Sequence, residues 1–281
     1  MTLANVKERF FEELRDGYSS EEINLAFKAL SDSYHQQKIS ISENDLLRDQ
    51  HLEYFDSALQ RLRKNEPLEY ILGEARFFGR GFKVNSEVHV PRPESETMIE
   101  WVLEDLEKLT KSGTNILDIG SGSGVLAITL AKEIPGISVT AMDISKGALA
   151  VARENADRLE ADIDFLNSDL FKFEELPEQF DLIVSNPPYI LRHAQKDVQR
   201  KYLGHEPPVA LYIEDEDPMV FNRKIAHLAK TGLKRNGAVF VEINQYLKSE
   251  SEKVFQDLGF KTECRNDIFG NPRTLKVSLG T

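Results

Sequence analysis

Cysteine is almost absent from this chain. Cys264 stands alone among 281 residues, which excludes an intrachain disulfide or a cysteine-built zinc cage and suits a reducing compartment. Long apolar runs are missing too. No stretch reaches the roughly 18 residues that a membrane-spanning helix needs, and the N-terminus has no signal-like apolar segment, so a cytoplasmic protein with no membrane contact is expected. Positive charge is in deficit, 35 basic against 47 acidic residues for a net charge of -12. A protein that clamps nucleic acid through its phosphates needs a basic stripe, so direct nucleic-acid binding is not expected. Internal repeats and low-complexity segments are also lacking. What is present is an ordinary globular balance, 41% hydrophobic and 29% charged, on a chain long enough for one large or two ordinary domains.

The first 75 or so residues read as helices. Leu3, Val6, Phe10 and Leu14 share one face of a 3.6-residue period, as do Leu52, Phe55, Leu59 and Leu62, and Ser19 with Glu22 has capping-box spacing. From Ala75 to Val90 the pattern turns to Phe77, Phe78, Phe82, Val84, Val88 and Val90, broken by Gly79 and Gly81, which predicts a β-hairpin. Pro91-Arg92-Pro93-Glu94-Ser95-Glu96 follows, either a plain helix start or a functional loop, leading into a helix whose Trp101 is expected in the core. From Asn115 onward strands and helices alternate, which predicts a doubly wound α/β sheet. The expected organisation is therefore a helical domain over 1–75, a hairpin linker over 76–92, and a Rossmann-like domain over 93–281.

The chemistry is expected at Phe180 to Ile190. Leu182, Ile183 and Val184 suit a strand buried on both faces, and Pro187 and Pro188 end it. An Asn-Pro-Pro tripeptide by itself can be no more than a rigid turn. In a site, though, the Asn186 side-chain oxygen and the Pro187 carbonyl can each accept one N–H of a planar NH2 group while Tyr189 stacks on its plane. A weak, uncharged nitrogen nucleophile needs such alignment more than it needs a base.

A second signal is Asp118-Ile119-Gly120-Ser121-Gly122-Ser123-Gly124, at the end of the first parallel strand. Glycine at every second position allows a tight turn and close approach to a ligand. Val125 stands where a dinucleotide fingerprint needs glycine or alanine, and no Lys-Ser/Thr ending marks a P-loop. The loop suits a nucleoside with an amino-acid tail, its backbone and Asp118 meeting the ammonium and carboxylate. Asp143 ends the next strand at the distance where an acidic side chain takes both ribose hydroxyls. Asp169, past the third strand, is placed to accept from an adenine amino group. A lone strand-end aspartate is commonly a helix cap; three in succession, followed by Asn186, point to S-adenosylmethionine (SAM).

Asn186-Pro187-Pro188-Tyr189 after a glycine-rich loop resembles methyltransferases of planar exocyclic nitrogens, either N6 of adenine in nucleic acid or the glutamine side-chain amide. Together with Pro91 to Glu96, the helical first domain and His205-Glu206-Pro207-Pro208-Val209-Ala210-Leu211, the chain is similar to the PrmC/HemK glutamine methyltransferases over nearly its full length from about Leu62. The resemblance implies methylation of the glutamine in the Gly-Gly-Gln motif of class I peptide chain release factors; the transfer needs no metal, and a monomer is expected. It assigns SAM binding to Gly120, Ser121, Gly122, Ser123, Gly124, Asp143, Asp169, Leu170 and Asn186, with Asn186, Pro187, Pro188 and Tyr189 holding the substrate. Asn186, Pro187 and Tyr189 would be the catalytic set. Leu170 stands where the bacterial members have an aromatic residue beside the adenine, so either Leu170 or Phe171 packs on the base. Another translation protein as substrate, N6-adenine methylation, and a SAM-binding scaffold without catalysis are the alternatives.

Overall fold

The computed structural model describes residues 1–37, 46–107, 113–191, 204–213 and 217–280. Among the described residues two compact units are built, one on residues up to Gly73 together with 204–205, the other on 74–191 and 206–280.

The first unit contains α1 (Leu3–Leu14), α2 (Ser20–Gln37), α3 (Asp49–Arg63) and the short α4 (Leu68–Leu72). The helical stripes meet as expected. Leu3, Val6, Phe10 and Leu14 pack with Ile23, Phe27, Leu30, Phe55, Leu59 and Leu62, and the rings of Phe27 and Phe55 stack at 5.4 Å. The capping box at α2 forms in both directions, Ser19 N–H donating to Glu22 and Glu22 N–H to Ser19 Oγ at 3.2 Å. Two donors left open at the helix start are thereby satisfied.

The second unit opens with a hairpin, β1 (Glu74–Phe77) and β2 (Arg80–Lys83). It is shorter than the stretch to Val90 that the hydrophobic pattern suggests. Asn85 takes Glu87 N–H on its side chain and Val88 N–H on its carbonyl, so the chain turns there, and Pro91 and Pro93 bar further ladder pairing. Val84, Val88 and Val90 are nonetheless buried, which is why their alternation mimicked a strand.

The sheet comprises β3 (Asn115–Ile119), β4 (Ser138–Asp143), β5 (Asp164–Asn167), β6 (Phe180–Ser185), β9 (Leu233–Glu242), β10 (Phe260–Asn266) and β11 (Pro272–Leu279), in the order β10-β11-β9-β6-β3-β4-β5. All neighbours from β9 to β5 are parallel, and β11 runs antiparallel to both β9 and β10. A two-stranded piece, β7 (Ile190–Leu191) with β8 (Tyr212–Ile213), stands apart from it. Strand alternation sorts the side chains. Ile116, Leu182, Val184, Ala238 and Phe240 pack against α5 (Glu96–Glu107), α6 (Val125–Glu133) and α7 (Lys146–Leu159). Leu117, Ile119, Ile183, Val239 and Val241 face the helices Val220–Gly232 and Lys248–Gln256. Trp101 is in the core, edge-on to Phe240 at 5.6 Å. No described helix is long and apolar enough to cross a membrane.

Candidate active site

β3 and β6 lie side by side where the winding reverses, β4 and β5 continuing one way and β9 the other. The crevice beyond the carboxyl ends of such strands is where ligands bind in open α/β sheets. Ser185 Oγ donates to the Ile119 carbonyl at 2.8 Å, tying the two strand ends together. Around them lies a cavity of about 380 Å³, within the range of small-molecule sites.

The glycine loop forms one wall. Gly120 and Gly122 have φ of 73° and 57°, a left-handed backbone that glycine adopts without penalty. A Cβ on either would meet nothing within 4 Å, so both leave open room for a ligand against bare backbone. Gly124 differs from these two. It is absent from the cavity lining; its φ is 82°, and a Cβ there would stand 2.9 Å from Ile128 Cδ1 and 3.1 Å from Ala152 Cβ. It is the turn into α6 and a close-packing position. Asp118 departs from its expected place. Alternation on β3 turns it toward α6, where one oxygen accepts from Ser121 Oγ at 2.7 Å and from Ala127 N–H at 3.2 Å. Complete burial pushes its carboxyl up to about 7 despite those two hydrogen bonds. It braces the loop from behind instead of lining the cavity.

Asp143 does line the cavity. One oxygen accepts from Gly122 N–H at 2.9 Å and the other from Ser145 N–H at 2.8 Å. Burial raises its pKa against the pull of these donors. A carboxylate has about four lone-pair sites, so acceptor capacity remains for a diol. Asp169 accepts from Phe171 N–H at 2.9 Å and stands on the same wall as Leu170 and Phe171. Leu170 is buried in the core cluster, whereas Phe171 is exposed and packs edge-on to Phe221 at 5.3 Å.

Asn186, Pro187, Pro188 and Tyr189 form the facing wall. Asn186 Nδ2 donates to Ser95 Oγ at 3.2 Å; Ser95 Oγ donates to Glu242 Oε2 at 2.6 Å, and Tyr189 Oη to Glu242 Oε1 at 2.8 Å. Burial raises the Glu242 carboxyl, offset in part by these two hydroxyls and Arg273. Burial, then the Glu242 charge, lifts the Tyr189 phenol well above its ordinary value and keeps it protonated. Sequence reasoning missed Ser95 and Glu242. Ser95 lay unnoticed in the Pro-Arg-Pro segment, and Glu242, an acid ending the apolar run Ala238 to Val241, was a signal left unread.

The two remaining segments singled out in the sequence also meet. Glu206 accepts from His89, from Arg92 Nη2 and from Val90 N–H at 3.2 Å. Burial opposes its charge, yet the His89 and Arg92 side chains and that N–H outweigh it and hold the carboxyl below the ordinary glutamate range. This anchor fixes the chain just ahead of Val209, Ala210 and Leu211, which line the cavity.

The family model for the methyltransferase small domain matches residues 100–263. A release factor glutamine methyltransferase of Flavobacterium psychrophilum is 43% identical over 80% of this chain and 80% of its own. That of Streptococcus pneumoniae is 38% identical over 100% of this chain and 99% of its own. Among solved structures the hMettl16 catalytic domain superposes with a TM-score of 0.57 at 16% identity, covering 90% of this chain and 92% of that one, a likeness of fold alone. With relatives of that identity aligned along most or all of its length, the chain belongs to the release factor glutamine methyltransferase family.

Proposed function

We propose that this protein transfers a methyl group from SAM to the side-chain amide nitrogen of the glutamine in the Gly-Gly-Gln motif of class I peptide chain release factors. The observation that carries the reading is the meeting, across one cavity, of a glycine cradle open to a ligand and the Asn186-Pro187-Pro188-Tyr189 wall. The cradle fits SAM: bare backbone at Gly120 and Gly122 for the amino-acid tail, the spare acceptors of Asp143 for the ribose, and Leu170 and Phe171 beside Asp169 for the adenine. Ser121 and Ser123 complete the loop.

SAM supplies a methyl group that is already activated toward nucleophiles. The protein's task is then alignment, which is worth on the order of 7 to 11 kcal/mol when two reactants are held in attack geometry. Asn186 Oδ1 and the Pro187 carbonyl accept the two amide N–H bonds and fix the plane of the nitrogen, and both contacts strengthen as that nitrogen gains positive charge. Tyr189, kept protonated and held by Glu242, covers the amide face. As the new carbon–nitrogen bond forms, the methyl–sulfur bond would break, SAM would leave as its neutral thioether product, and the surplus proton would then pass from the nitrogen to water.

The helical part over 1–75 serves substrate recognition, with the 76–92 segment joining it to the catalytic part over 93–281. The protein acts as a cytoplasmic monomer without direct contact with nucleic acid. Incubation with SAM and a release factor, followed by mass spectrometry of the Gly-Gly-Gln peptide, tests the reading. A methyl group on the glutamine is expected. Methylation of adenine in DNA with none on the release factor would overturn it.

A further inference from the structure

Glu242 is a buried carboxylate whose part so far is only to hold Tyr189. It is 2% exposed and Ser95 is 4% exposed, although they lie 147 positions apart in the chain. Removing a charge from water is costly, and a neutral glutamine has nearly the same shape, so what the charge does differently is informative. The Ser95 and Tyr189 hydroxyls and the Arg273 charge favour the ionised form against burial, and an ionised carboxylate accepts hydrogen bonds and donates none. Ser95 and Tyr189 must therefore point their hydroxyl hydrogens at it, over 2.6 and 2.8 Å. Ser95 has a single hydrogen, and once that is given to Glu242 its oxygen can only accept from a third group. That group is Asn186, whose Nδ2 lies 3.2 Å away.

A carboxamide can be turned over by half a rotation, exchanging its acceptor and donor ends within almost the same outline. For a substrate NH2 the difference is decisive, because an amide donor meets an acceptor favourably and another donor unfavourably. The relay from Glu242 through Ser95 removes the ambiguity. We infer that Glu242 and Ser95 are positioning residues that set the flip of the Asn186 carboxamide, so that Oδ1 and not Nδ2 meets the substrate amide, while the same carboxylate anchors Tyr189. The inference rests on the reading of Asn186 as acceptor for the substrate. Glu242→Gln would bring in an NH2 that can donate to Ser95 and release the Ser95 hydrogen toward Asn186, turning the carboxamide over with little change in packing.

The test compares kcat and KM for a release factor, and Kd for SAM, among Glu242→Gln, Ser95→Ala, Ser95→Thr, Asn186→Ala and the Ser95→Ala/Asn186→Ala double variant. Glu242→Gln and Ser95→Ala are expected to lower kcat by about tenfold or more, the scale of one misdirected hydrogen bond in the transition state, with SAM affinity unchanged. Ser95→Thr, which keeps the hydroxyl, recovers the loss seen in Ser95→Ala. In the Asn186→Ala background, Ser95→Ala costs nothing further. If Ser95→Ala is as active as wild type, or is equally damaging in both backgrounds, the relay is overturned while Asn186 keeps its role. If Asn186→Ala alone is fully active, the role of Asn186 falls and the relay with it. Ser95→Ala removes one oxygen atom, so this comparison stands even where Glu242→Gln does not fold.

Discussion

Replacing Asp143 with asparagine should separate cofactor binding from catalysis. Its two oxygens accept from Gly122 and Ser145 N–H at 2.9 and 2.8 Å, and the residue lines the cavity. Asparagine keeps one acceptor, turns the other into a donor and removes the charge. Two losses follow. The ribose diol loses a charge-assisted hydrogen bond of about 1.5 to 3 kcal/mol, which raises the SAM Kd roughly 10- to 150-fold. Inside the protein one backbone N–H loses its acceptor, at a cost of about 1 to 3 kcal/mol in unfolding free energy. Titration calorimetry with SAM gives the first and denaturant unfolding the second, while kcat at saturating SAM should change little. The pH dependence gives an independent check. Burial raises the Asp143 pKa, and protonation cancels an acceptor, so wild-type affinity should start to fall with acidification above the ordinary aspartate range, and the variant should lack that component. A wild-type SAM affinity in the variant would refute the reasoning, whatever happens to stability.

Asn186→Ala should do the reverse, lowering kcat by about 3 kcal/mol, roughly 150-fold, with SAM affinity retained in calorimetry. Gly124→Ala should lower unfolding free energy by roughly 1 to 3 kcal/mol in chemical denaturation, since the residue has positive φ and its Cβ would press on Ile128 and Ala152; an unchanged midpoint would deny it a packing role. Asp118 should make stability pH-dependent. Its folded pKa of about 7 exceeds the unfolded value, so its contribution is fully present below about pH 4 and is lost as pH rises through about 7. Stability curves of wild type and Asp118→Asn should therefore diverge across that window by about 4 kcal/mol at most, and parallel curves would contradict the assignment.

Much of this protein was legible in its sequence, because local signals are carried by neighbouring residues. The period of the helical stripes, the capping box of Ser19 and Glu22, the glycines ahead of α6 and the two prolines after β6 each act within a few positions. They marked the element types, the doubly wound order and two walls of the cavity. Where a local pattern had two physical causes the sequence was ambiguous. Val84, Val88 and Val90 are buried without being a strand, and Gly124 serves packing while Gly120 and Gly122 serve the cavity.

Tertiary structure alone decided the long-range meetings. Strand order sets β9 next to β6, and alternation turns Glu242 to the side of the sheet where Ser95 precedes α5, so two residues from distant segments form one hydrogen-bonded chain to Asn186. Arg92 and His89 reach Glu206 across more than a hundred residues in the same way. A single sequence does not encode such partners as a pattern, because which buried acid meets which hydroxyl depends on the register and crossing of whole elements. Residue types and their spacing stated what the wall of the site offers to a ligand; only the folded sheet determines which way the Asn186 carboxamide faces.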